Sequence, residues 1–120
     1  MQPFHCNGGI KMTKVLYITS KSIYTCAAQG TLLDVAQSQM KKGHEIGILL
    51  IQDSTLACWK GGKNVVAEAA RSGAKIYAIK EDLEARGIIG DKVHSDIKQV
   101  NYDEAISVIM DQYEKVITWC

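Results

Sequence analysis

Two cysteines, Cys26 and Cys58, have the residue type and the placement that suit covalent chemistry. Each follows an apolar run that reads as a strand: Val15–Thr19 ahead of Cys26, and Ile46–Ile51 ahead of Cys58. If those strands lie parallel, both thiols leave carboxyl ends, the edge where ligands and chemistry collect in open α/β sheets. Cys26 stands at or near the start of a helix, where the positive end of the macrodipole favours thiolate over thiol. Lys60 and Lys63 follow Cys58 and would add positive potential, which lowers a thiol pKa. A thiolate so placed can take the terminal sulfur of a persulfide and hand it on without metal or cofactor. The competing reading of both residues is packing. Cys26 would be a small apolar residue beside Ala27 and Ala28, and Cys58 part of an apolar flap with Trp59. Cys120, behind Trp119, suits either a mobile carrier arm or an incidental thiol. Cys6 is given no role.

Other chemistries lack their residues. The four cysteines form no CxxC pair, which argues against a zinc ribbon or a thioredoxin-type dithiol. The loop after the first strand, SKSIYTCAAQGT, contains neither GxGxxG nor GxxxxGK[ST], so nothing there cradles a phosphate. No GxSxG elbow is present. His5, His44 and His94 are scattered, and none has a partner at metal-ligand spacing. Neither a cofactor nor a metal is expected. The chain has 120 residues, 47% hydrophobic and 22% charged, with a formal net charge of +1. That balance supplies no field for direct nucleic-acid or acidic-membrane binding. No apolar run is long enough to span a bilayer and no secretory signal is seen, so a cytoplasmic protein with reduced thiols is expected.

The elements that must position the thiols alternate. Strands are expected at Val15–Thr19, Ile46–Ile51, Ala74–Ile79, Ile97–Val100 and Val116–Trp119. Their nearly continuous apolar character suits strands covered on both faces. Helices are expected from Cys26 to Lys42, Val65 to Ser72, Glu81 to Arg86, and Asn101 or Tyr102 to Tyr113, with a short helical turn from Thr55 to Trp59. The apolar set Leu32, Leu33, Val35, Ala36 and Met40 gives the first helix one buried face. The expected fold is α/β and three-layered: a central, mostly parallel sheet of about five strands with helices on both faces. Residues 1–11 read as a flexible extension and residues 12–120 as a single domain.

The run Lys75–Gly90, KIYAIKEDLEARGIIG, is the most informative stretch: a strand turns directly into a short helix closed by Gly87. Its residues Tyr77, Asp82, Leu83, Ala85, Arg86 and Gly87 fit the pattern (V/I)YA(I/L)..DL.ARG. With Leu49-Leu50-Ile51-Gln52-Asp53, Val100-Asn101-Tyr102 and Trp119, it resembles the DsrE/DsrF/DsrH superfamily, most of all its DsrH/TusB branch. The resemblance covers roughly Leu49 to Cys120 and is weaker in the amino half. It implies a small α/β domain in a homo-oligomer, or in a heteromer with DsrE- and DsrF-like subunits. The implied activity is persulfide sulfur relay between donor and acceptor proteins, serving tRNA 2-thiouridine synthesis or sulfur oxidation. In the DsrE/TusD branch the sulfur-carrying cysteine lies at the end of the third strand. Here that stretch is Ile79-Lys80-Glu81, without a thiol.

Three readings follow. The chain is a sulfur carrier without cofactor, through Cys26 first and Cys58 second. Alternatively it is a non-catalytic assembly subunit beside a thiol-bearing sister chain, or an α/β domain that binds a small molecule at the strand carboxyl ends.

Overall fold

The computed structural model describes residues 13–21, 28–59 and 65–119. The expected extension at residues 1–11 lies outside them, as do Cys6, Cys26, Lys60, Lys63 and Cys120. Five strands form one sheet: β1 (Lys14–Thr19), β2 (Glu45–Leu50), β3 (Lys75–Ile79), β4 (Ile97–Val100) and β5 (Lys115–Thr118). Their order is β4-β3-β2-β1-β5 and every pairing is parallel. The helices are α1 (Ala28–Lys41), α2 (Val65–Arg71), α3 (Lys80–Ala85) and α4 (Tyr102–Ser107). A 3₁₀ turn, Gln52–Cys58, follows β2, and a π-helical turn, Val108–Gln112, continues α4.

Handedness decides which helix covers which face. From β1 to β4 the chain steps in one direction across the sheet, and right-handed crossovers put α1, α2 and α3 on one side. The connection from β4 to β5 steps back past β1, so the same handedness sends α4 to the opposite side. The two cores match this division. Val15, Tyr17, Ile46, Ile48, Leu50, Ile76 and Ala78 pack with Leu32, Ala36, Ala69 and Leu83 of the first three helices. Their strand neighbours Leu16, Leu49, Tyr77 and Ile79 pack with Ala105, Val108 and Tyr113. Successive residues of each strand thus serve alternate layers, as the pleat requires. The three-layer expectation holds.

The second layer is thin and rests on one close approach. Gly47, in the middle of β2, lies directly beneath the ring of Tyr113, leaving no room for a Cβ. The Tyr113 hydroxyl lies 3.2 Å from that of Tyr77, and the two rings meet edge to face at 6.3 Å. On the other layer Trp119 packs edge to face on Tyr17 at 5.9 Å, and the Tyr17 hydroxyl donates to Gln39 Oε1 at 2.6 Å. Trp119 thus packs against the first core.

The helix expected to run unbroken to Tyr113 changes pitch at Val108. Its start is well specified: the Asn101 side chain accepts from the Glu104 amide, and Glu104 accepts from the Asn101 amide, a complete capping box.

Gly47→Ala should displace the Tyr113 ring and lower stability by about 1–3 kcal/mol, the range for overfilling a packed core. Urea unfolding of the two proteins measures it, and an unchanged midpoint would contradict the packing described.

Candidate functional site at the strand carboxyl edge

The winding reverses after β4, so adjacent strands β3 and β4 send their helices to opposite faces. Such a switch opens a crevice outside the strand carboxyl ends. On the β3 side it is bounded by Glu81 and Asp82 in the first turn of α3, and on the β4 side by Tyr102 at the start of α4. The Tyr102 hydroxyl points back across the gap to Asp82 Oδ1 at 3.4 Å. The Asp82 charge, foremost, holds the Tyr102 phenol above its ordinary pKa, with Glu81 adding to the effect and Arg86 opposing it. The hydroxyl therefore stays protonated and serves as a donor. Glu81 Oε1 is closed off from solvent without a hydrogen-bond partner.

A second set of contacts ties this crevice to the turn after β2. Gln52 takes a left-handed backbone conformation, φ 52°, unusual for a residue with a Cβ. Its amide donates to Asp82 Oδ2 at 2.8 Å. Arg86 grips both segments: Nη2 and Nε donate to Asp53 Oδ1 at 2.8 and 3.2 Å, and Nη1 donates to the Asp82 carbonyl at 3.1 Å. The buried Ser54 hydroxyl lies 2.6 Å from the Thr19 carbonyl and 2.7 Å from that of Ile51, securing the turn to the end of β1. Thr55, also buried, donates to the Gln52 carbonyl at 2.6 Å. Asp53, Asp82 and Arg86 were visible in the sequence only as pattern residues. Their partnership was not, because thirty or more positions separate the joined residues. The available signal was charge of opposite sign at the ends of two adjacent strands.

The expected site residues fall differently. Cys26 lies outside the described residues. Cys58 ends the 3₁₀ turn inside the first core, 0% exposed. Burial pushes its thiol up to about 12, opposite to the lowering expected from nearby lysines. Its carbonyl is engaged as well, accepting the His94 amide at 2.8 Å. In this arrangement Cys58 is a packing residue. Trp59 is exposed and bridges to Val93. It helps line a cleft of about 480 Å³ with Leu56, Ile88, Arg86 and Lys92, beside the Arg86 contacts. A larger hollow, about 530 Å³, lies near the amino end of β3, by Ala74 and Lys75, remote from this edge.

Among the described residues no three His, Cys, Asp or Glu side chains converge as a metal ion would require. No described helix is long and apolar enough to cross a membrane. The crevice offers carboxylate acceptors and one phenolic donor, and its described residues include no nucleophile of the thiol or activated-hydroxyl kind.

The family model described as DsrH like protein matches residues 21–115. The chain belongs to the DsrH-like family. Another protein similar to this DsrH-like chain is Protein TusB of Photorhabdus laumondii, 31% identical over 102 residues, covering 84% of this chain and 97% of that one. The DsrH-like fold also matches solved structures at low identity. The ychN protein from E. coli superposes with a TM-score of 0.78 at 15% identity, over 90% of this chain and all of that one. A protein of unknown function from Methanobacterium thermoautotrophicum gives 0.74 at 13% identity, over 89% and 99% of the two chains. A third, from Bacteroides thetaiotaomicron, gives 0.64 at 19% identity, over 88% and 94%.

Two outcomes check the site. The Asp53–Arg86 pair is solvent-facing on the Asp53 side, so Asp53→Asn should cost under ~1 kcal/mol. Asp82→Ala removes the acceptor that holds Gln52 and should cost more, about 1–2 kcal/mol. It should also speed hydrogen exchange at the Gln52 amide, which Asp53→Asn should leave slow. For Cys58, the folded protein keeps the thiol proton to higher pH than the unfolded chain does. Its contribution to stability is intact below the ordinary value of 9.0 and is lost as pH rises from there towards about 12. Unfolding followed against pH should show this loss, and Cys58→Ala should remove that component of it. Native Cys58 should also resist alkylation until denaturant is added.

Proposed function

We propose that this chain is a sulfur-relay subunit of the DsrH/TusB type whose own part is to assemble with and orient a thiol-bearing sister chain. Membership of the DsrH-like family supports the relay. One observation carries the choice of role. At the end of β3, where the DsrE/TusD branch keeps its sulfur-carrying cysteine, this chain begins α3 with Lys80, Glu81 and Asp82. Two carboxylates there would raise a thiol pKa and repel a persulfide anion. The edge is built to accept hydrogen bonds and cations, not to attack sulfur.

The relay step needs only thiols. An acceptor thiolate attacks the terminal sulfur of a donor persulfide, a new sulfur–sulfur bond forms, the old one breaks, and the donor leaves as thiolate. A sister chain would supply the acceptor, and this chain would hold it in place. The TusB relative turns the pathway towards sulfur delivery for tRNA thiolation. A cytoplasmic setting, which keeps thiols reduced, belongs to the same reading. A second reading keeps Cys26 as a carrier, favoured by its position two residues ahead of α1 in the sequence. Cys58 could join only if the 3₁₀ turn released it from the core.

Reconstitution with the DsrE- and DsrF-like chains of the same genome separates these readings. Sulfur transfer from a persulfide donor should require this chain and should survive both Cys26→Ser and Cys58→Ser. Loss of transfer in Cys26→Ser, with one added sulfur atom found on Cys26 by peptide mass in the parent protein, would move the carrier role here.

A further inference from the structure

Helix α4 covers the second core with Ala105 and Val108, yet its outer side is also apolar. Tyr102, Ile106 and Met110 recur every four residues and are 52%, 53% and 74% exposed. At helical spacing they form one stripe. An exposed apolar stripe of this kind marks a contact surface. The charges around it say what the contact must look like. From Asn101 to Glu114 the chain carries Asp103, Glu104, Asp111 and Glu114 and no Lys or Arg. Asp82 lies at the Tyr102 end, 3.4 Å from its hydroxyl, and the nearby cation Arg86 is engaged by Asp53. Along its own segment the stripe is therefore edged by acids, while Lys75 and Lys98 share a hollow with Gln112 beyond its far end.

A two-fold pairing of this face with a second copy would set acid against acid. We propose that the outer face of α4 docks a different chain, one that presents an apolar patch edged by Lys or Arg. This rests on the relay-subunit reading above, and it names the surface and the chemistry of the partner. Tyr102 is the pivot: its ring opens the stripe and its hydroxyl lies in the switch crevice. The partner so docked sits beside the end of β3, where this chain has no thiol of its own.

The test uses the full-length chain co-expressed with the DsrE- and DsrF-like chains of the same genome. A photo-crosslinking amino acid replaces Met110 in one protein and Glu68, on the opposite layer, in another. Irradiation should join position 110 to a sister-chain peptide containing Lys or Arg, and position 68 should give no such product. Ile106→Ser with Met110→Ser, both at exposed positions, should abolish the complex while leaving the circular dichroism and unfolding midpoint unchanged. Asp103→Lys with Asp111→Lys should weaken the complex. Roughly 1 M salt, which shortens screening to about 3 Å, should do the same to the unsubstituted complex. Cross-links from position 110 into a second copy, or a complex indifferent to the Ile106 and Met110 changes, would overturn the proposal while leaving the relay reading standing. No complex with either sister chain would overturn both.

Discussion

The reversal of winding after β4 is the constraint on which the rest of the molecule depends. Three successive crossovers in one direction fill one face of the sheet with three helices. Among the described residues, the handedness of the fourth leaves the other face to α4 and its π-helical turn. That single reversal opens the crevice between the ends of β3 and β4 and gives the sheet its thin layer. It also brings the last strand beside the first. The thin layer is tolerable because Gly47 lets the Tyr113 ring lie against the strand itself, so a short segment reaches the centre of the sheet.

At the carboxyl edge one set of side chains ties the turn after β2 to the starts of α3 and α4. Asp82 holds a strained Gln52 through one oxygen and faces Tyr102 through the other. Arg86 neutralises part of that charge and fastens the turn after β2 to α3. What remains is a polar edge with excess negative charge and a phenol kept protonated. Those are properties of a surface that receives donors. They are unfavourable for a persulfide, which is anionic.

Much of the fold was legible because parallel strands covered on both faces must be apolar almost throughout. The runs at Val15–Thr19, Ile46–Ile51 and Ala74–Ile79 gave strands to within a residue or two. Gly47 interrupts an apolar run, and nothing local announces a tyrosine more than sixty residues later. The pitch change at Val108 was invisible because five residues are too few to distinguish helical periods. Cys58 has the chemistry of a site residue, but residue type does not reveal which side of a short 3₁₀ turn meets the core. Ser54 and Thr55 show the same limit from the opposite direction: polar residues in a polar-looking break turned out to be buried, satisfied by carbonyls.

The pairing of β1 with β5 joins Val15 to Lys115. Interior though it is, β1 lacks one of its two neighbours until residues a hundred positions downstream have been synthesised. A nascent chain on the ribosome therefore displays a free edge of this strand until β5 emerges, and such an edge readily recruits stray strands. Closure of this sheet is a long-range event that waits on β5.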